Sequence, residues 1–335
     1  MTLRASRVFA GAAIVSLLLL VPAAARAELE AEAAAAAPAD DAAPPPDEKG
    51  PPLPFHTFEG YGGGGITPLA YLINPGKEDE VWGKPAVGMT YINAGAKNVD
   101  ALTATETLYQ RVEFGFGADR LGLGTLPMAI LDATGKDIQH SDVWLYNINL
   151  RFLLVKENDY QLGENFGNPA ITAGVHFKIA DGVESINEHL GGALTHVGFD
   201  RSNGEDFTFT VSKTFPKLVG RPLILTAGFR ESEAAALGFL GFGDTYRATV
   251  EGNVVFMATD RIALGYEFRQ NKDPYGFILD KSGNYILGPE NNWHTFDVAY
   301  VLGKHATLVG GWCLLGNLSN AKANDAWVMQ LKYEF

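Results

Sequence analysis

The stretch Ala326-Trp327-Val328-Met329-Gln330-Leu331-Lys332-Tyr333-Glu334-Phe335 decides the fold. Trp327, Met329, Leu331, Tyr333 and Phe335 share one face. Gln330, Lys332 and Glu334 share the other, with Ala326 and Val328. A period of two is the signature of a strand with one apolar and one polar face. The terminal aromatic after alternating hydrophobics resembles the signal read by the outer-membrane barrel assembly machinery, which makes Trp327, Met329, Leu331, Tyr333 and Phe335 the expected assembly signal.

The pattern recurs towards the N-terminus. Ile262, Leu264, Tyr266 and Phe268 alternate with Ala263, Gly265, Glu267 and Arg269. Ile171, Ala173, Val175, Phe177 and Ile179 alternate with Thr172, Gly174, His176 and Lys178. Val112, Phe114 and Phe116 alternate with Arg111, Glu113, Gly115 and Gly117. About 12 such strands (10–14) can be drawn, at 61–73, 85–94, 106–119, 141–156, 169–180, 205–215, 222–231, 244–258, 261–271, 293–303, 304–316 and 325–335. Strands of soluble proteins average about 5–6 residues. Strands tilted across a bilayer need about 9–11, and these reach that length. A soluble sandwich or lipocalin-like barrel would turn the apolar face inward; strand length and glycine content favour the lipid-facing arrangement. The expected fold is all-β: an antiparallel transmembrane β-barrel.

Loop lengths agree. Connections at 259–260, 303–304 and 216–221 are tight, whereas 121–140, 181–204 and 272–292 are long. Short turns on the periplasmic side and long loops outside are the outer-membrane habit. The connections 95–105 and 157–168 are long for the periplasmic side.

The segment before the strands has another character. Arg4 and Arg7 precede an apolar run from Val8 to Val21, and small residues end in Ala25-Arg26-Ala27. That is the plan of a signal peptide, expected over 1–27. Residues 28–57 read as a disordered Ala/Pro/acidic linker in the periplasm. The barrel is expected over 58–335.

Composition excludes several classes. The 335 residues carry a net charge of -13, against a nucleic-acid partner. The single cysteine, Cys313, excludes an intramolecular disulfide or a multi-cysteine metal site. The seven histidines lack metal-ligand spacing. Gly60-Tyr61-Gly62-Gly63-Gly64-Gly65 matches a dinucleotide fingerprint in letters, but Pro68 follows where a helix should begin. Its glycines suit a tight bend or close packing at the barrel entrance. No cofactor and no metal are expected.

With the apolar face towards lipid, the lumen carries Arg111, Glu113, Arg151, His176, Lys178, Arg230, Arg247, Glu251, Glu267, Arg269, Asp297, Lys332 and Glu334. The expected function is a channel or transport barrel for small hydrophilic solutes. The alternatives are a closed structural or adhesion barrel acting through its outer loops, or an outer-membrane lipid-modifying enzyme. An enzyme would need a cluster such as His294 with Asp297, or Ser141 with His140, but no spacing singles these out; the expectation is no enzyme. The sequence leaves open whether the lumen is clear. Residues 232–243 are apolar for an exterior loop and suit folding into the lumen or contact with lipopolysaccharide or a partner. The expected partners are outer-membrane lipid, lipopolysaccharide and the assembly machinery.

Phe58-Glu59-Gly60-Tyr61-Gly62-Gly63-Gly64-Gly65-Ile66-Thr67-Pro68-Leu69-Ala70, followed by Arg111-Val112-Glu113-Phe114, resembles an uncharacterised family of Gram-negative outer-membrane barrel-like proteins, a domain of unknown function. The resemblance spans residues 58–335. It implies a barrel and the Gram-negative outer membrane, and it carries no catalytic residues across.

Overall fold

The computed structural model describes residues 56–77, 79–163 and 166–335. The expected signal peptide and all but the last two residues of the expected linker lie outside them. Twelve antiparallel strands form a closed barrel. In chain order they are β1 (Ala86–Ala94), β2 (Lys97–Leu108), β3 (Val112–Gly122), β4 (Asp142–Val155), β5 (Ala170–Asp181) and β6 (Asn203–Phe215). β7 (Leu223–Ala234), β8 (Phe242–Met257), β9 (Ile262–Arg269), β10 (Trp293–Val301), β11 (Ala306–Leu314) and β12 (Ala326–Glu334) follow. Each pairs with its sequence neighbour, and β12 closes onto β1 with Ala86 opposite Glu334 and Asn93 opposite Trp327.

The period-two pattern sets which side chains point out. Phe114, Phe116, Phe177, Phe207, Phe229 and Phe296 lie on the outer face and are exposed. Aromatics meet across strands there: Phe209 stacks on Phe229 at 5.7 Å and Phe296 on Trp312 at 5.9 Å. Such pairs add to sheet stability beyond the ladder itself.

The end that carries the strand-initial residue Ala86 and the chain's last residue, Phe335, is the lower end. Short connections close it at 258–261 and 302–305. The upper end carries the long connections, with three helices: α1 (Leu126–Thr134), α2 (Val183–His189) and α3 (Ala193–Val197). Their Leu126, Ile130, Val183, Ile186 and Leu194 join Phe199, Tyr275 and Ile286 in one apolar layer over the barrel mouth.

Two strand expectations are corrected, and the errors cancel in the count. Residues 61–73 form no barrel strand. Residues 97–108, read as connection and the start of the next strand, form β2. β2 and β3 are joined through Tyr109 (φ +49) and Gln110 (φ +56), with Arg111 N–H donating to the Leu108 carbonyl at 2.9 Å. Two successive residues at positive φ make the mirror-image hairpin turn that Gly, Asn and Asp usually mark. Tyr-Gln carries no such mark, so the reversal was hidden. With β2 in place, the β1–β2 connection shrinks to a turn at Gly95 (φ +73).

Residues 56–73 instead run inside the barrel. His56, Thr57, Phe58, Glu59, Tyr61, Thr67 and Leu69 are all buried. Glycines on both sides permit this close approach. A Cβ at Gly115 of β3 would overlap the Gly60 carbonyl oxygen, and one at Gly60 (φ +88) would lie 2.6 Å from the Phe116 carbonyl oxygen. Segment and wall meet backbone to backbone.

Gly115→Ala should therefore destabilise the folded barrel by about 1–3 kcal/mol, the usual cost of overpacking. Gly310→Ala, where a Cβ meets open space, should be near neutral. The midpoint of heat-induced mobility change on a gel distinguishes them.

Candidate functional site

The interior is built by inward-facing polar side chains that converge on segment 56–73. Glu59 is at their centre. Its carboxylate lies 2.6 Å from Lys178 Nζ of β5 and 2.9 Å from Arg269 of β9. Tyr61 Oη donates to it at 2.8 Å. Lys178 also pairs with Asp206 of β6 at 2.8 Å. Arg230 of β7 pairs with Asp206 at 2.9 Å and with Glu251 of β8 at 3.3 Å, and donates to Tyr61 Oη at 2.9 Å. This cluster holds three carboxylates, Glu59, Asp206 and Glu251, against three cations, Lys178, Arg230 and Arg269. The wall supplies all the cations but only two of the carboxylates. The third comes from segment 56–73.

A second pair fixes the far end of the segment. Arg151 of β4 bridges Glu113 of β3 at 2.8 Å and donates to the carbonyls of Gly62 and Leu69. Glu113 accepts the N–H groups of Gly62 at 3.0 Å and Ile73 at 2.8 Å. Glu267 of β9 accepts the N–H groups of Gly65 at 2.6 Å and Thr67 at 2.7 Å, and the Thr67 hydroxyl at 2.5 Å. Successive backbone N–H groups wrapped around an anion form a nest. The segment's backbone donors, denied a sheet ladder, are met by wall carboxylates, as buried N–H groups require.

The remaining expected lumen residues have various places. His176 bonds Asn149 at 2.8 Å and Thr208 at 2.9 Å and packs against Tyr61 at 4.6 Å. Lys332 pairs with Glu334 at 2.5 Å. Asp297 faces inward and accepts from Thr295 at 2.8 Å. Arg111 sits in the β2–β3 turn at the lower rim, half exposed and 3.7 Å from Asp159. Arg247 lies at the upper end of β8, where it donates to the Thr245 carbonyl at 3.0 Å. These two arginines stand outside the interior cluster. Sequence reasoning missed Glu59, Tyr61 and Asp206. Asp206 shares its strand parity with Thr208, Thr210 and Ser212, which was an available signal.

The suggested His294 and Asp297 do not come together, and Ser141 Oγ donates to the Asp142 carboxylate at 3.1 Å. His294 bonds Tyr266 Oη at 2.9 Å on the outer side of β10, three residues from the inward Asp297 and so on the opposite face. His189 and His196 each donate Nδ1–H to a carbonyl one helical turn back, that of Ser185 and that of Gly192, both at 2.8 Å. Among the described residues, no group of three or more His, Cys, Asp or Glu is placed to hold a metal ion.

The connection between β7 and β8 also enters the lumen. Ala235, Leu237 and Phe239 are buried, and Lys178 Nζ donates to the Leu237 carbonyl at 3.0 Å. Glu290, in the loop before β10, accepts the Ala236 N–H at 2.7 Å.

Residues 55–332 match the family described as protein of unknown function DUF3034. The chain belongs to that family. Among curated proteins none matches it. Among solved structures it is similar to the KdgM porin, at 10% identity over 75% of this chain and 99% of that one, with a TM-score of 0.41. The NanC porin is similar at 9% identity, 75% and 98% coverage and a TM-score of 0.40. The Acinetobacter baumannii outer membrane protein Omp33 is similar at 8% identity, 77% and 100% coverage and a TM-score of 0.36.

Two outcomes follow from this geometry. Glu59→Gln leaves Lys178 and Arg269 short of a buried counter-charge, a change that typically costs about 3–5 kcal/mol; the heat-modifiability midpoint should fall accordingly, and an unchanged midpoint would contradict the assignment. Burial pushes the Glu290 carboxyl up to about 7, helped by Asp273 and opposed by the Ala236 N–H. A raised folded-state value means that attachment of the 235–241 loop weakens as pH rises from about 4.5 to about 7 and then levels off. Hydrogen-exchange protection of that loop, corrected for intrinsic rates, should drop over this window, and Glu290→Gln should flatten the profile.

Proposed function

We propose that this protein is an outer-membrane transport barrel held shut by its own segment 56–73. The carrying observation is that a wall-derived charge cluster is completed by Glu59 from a segment that is not part of the wall. Support for the membrane setting is the apolar, aromatic outer face of a closed barrel, whose strand edges are all paired. Charges at the lipid-facing midplane would cost about 2–4 kcal/mol each; the charged strand residues Glu113, Arg151, Lys178, Arg230, Glu251 and Arg269 face inward. Outer-membrane lipid and lipopolysaccharide are then the surroundings, the assembly machinery is the partner during insertion, and the β12 aromatics with Phe335 are the signal it reads.

Barrels of eight strands fill their interior with side chains, while those of sixteen or more leave a channel. Twelve strands leave a gap that side chains alone do not fill. Segment 56–73 fills it. Transport requires that segment to shift or leave, exposing a wall of Arg, Lys, Glu and Asp suited to small hydrophilic solutes. The second reading is a closed barrel working through its outer loops, favoured by the apolar layer that α1–α3 form over the mouth.

Planar-bilayer conductance separates the readings. The full chain should be silent, and a chain lacking residues 56–73 should give discrete, salt-dependent steps. A folded, heat-modifiable deletion that stays silent would leave the closed-barrel reading; a full chain that conducts as well as the deletion would remove the shutter.

A further inference from the structure

The upper half of the lumen differs in chemistry from the ion-paired part. Between segment 56–73 and the loops lies a cavity of about 60 Å³, floored by Phe58 and Ile66, walled by Ile92, Trp293 and Cys313, and roofed by Leu237. At ~10–15 Å³ of such space per water it has room for roughly four to six waters, on the order of 120–180 Å³ of liquid, the scale at which an apolar cavity takes up a benzene ring. A second apolar cavity of about 80 Å³ among the loops shares Ser319 with it. A third, of about 20 Å³, shares Gly65 and Asp297 with it from below. The main chamber is walled by β10–β12 on one side and β1–β3 on the other, through Trp293, Cys313, Val328, Ile92, Val99 and Leu121.

One charged group in this apolar chamber stands out. Lys97, at the start of β2, lines it and is 3% exposed. Its Nζ donates to Asn320 Oδ1 at 2.6 Å. Among the described residues that is its sole hydrogen bond, and no carboxylate oxygen lies within 4.0 Å. The interior cations Arg151, Lys178, Arg230, Arg269 and Lys332 each have a carboxylate partner. A buried ammonium without a counter-ion, holding two unused donors, is costly unless an anion arrives.

We propose that this chamber binds a small monocarboxylate with an apolar body, its carboxylate on Lys97 and its body against Phe58, Ile66 and Trp293. A charge-assisted hydrogen bond then offsets the buried cation, and the apolar walls exclude solutes that are polar throughout. As the barrel's substrate class this rests on the transport reading above; as a ligand site it does not, because the chamber exists with segment 56–73 in place.

The test is equilibrium binding of radiolabelled benzoate, whose ring matches the chamber, to the full chain in lipid nanodiscs, corrected by empty nanodiscs. Saturable binding near one benzoate per barrel is expected, with benzyl alcohol a poor competitor. Lys97→Met should weaken it about tenfold or more, the loss of a hydrogen bond to a charged group; Lys97→Arg should retain it. Cys313→Phe, which fills the chamber without removing the cation, should abolish it. Heat-modifiable mobility confirms that each variant is folded. No saturable binding above empty discs, equal competition by benzyl alcohol, or unchanged binding in folded Lys97→Met would overturn the proposal. Benzoate binding alongside a silent 56–73 deletion would sink the transport reading alone, and the converse would sink the site alone.

Discussion

The Glu59 carboxylate is the point on which the interior depends. Lys178 and Arg269 meet it directly, and Tyr61 connects it to Arg230. Each wall cation sits on a different strand, so each could have been neutralised within the wall. Instead the wall is one carboxylate short in this cluster, and segment 56–73 brings it. Buried charges are tolerated when paired and hydrogen-bonded, and are expensive otherwise. The segment is therefore keyed by charge as well as by shape, and register along it is fixed at three places: Glu59, the Gly62 contact with Glu113 and Arg151, and the nest around Glu267.

Glycine makes that keying sterically feasible. A chain threaded through a barrel must satisfy its own backbone groups without a ladder, and must approach walls that already carry side chains. Gly60 and Gly115 remove the Cβ atoms where backbones touch. Gly64 and Gly65 leave room for the Glu267 carboxylate to reach successive N–H groups. The arrangement also divides the lumen. Ions pin the segment through side chains of β3–β9; next to β10–β12 and the upper parts of β1–β3 it borders small apolar cavities.

Much of the wall was legible from the sequence, because the alternation of β12, β9 and β5 is local and strong. The outer face, the inward placement of Lys178, Arg230 and Arg269, and the tight lower turns all follow from period-two parity. β2 escaped because its inward face is Thr103, Thr105 and Thr107 and its turn is Tyr109-Gln110, so neither apolar contrast nor turn residue announced it. The stretch 61–73 was misread as a wall strand for the opposite reason. Its partners are side chains some 40 to 200 positions away, such as Glu113 and Glu267, and no local pattern reports them. The close packing expected of the glycines in 60–65 was legible; that it happens at the centre of the barrel was not. The inward turn of the apolar loop after β7 was one of three readings open in the sequence, beside contact with lipopolysaccharide or with a partner, and the burial of Leu237 and Phe239 favours it.

The central claim is that Glu59 locks segment 56–73 within the lumen. Thr57 is fully buried there, which makes it a reporter. With Cys313 replaced by alanine, Thr57→Cys in the membrane-embedded protein should resist a membrane-impermeant maleimide. Adding Glu59→Gln should make the thiol react. Rapid labelling with Glu59 intact, in barrel shown to be folded by its gel mobility, would contradict the account.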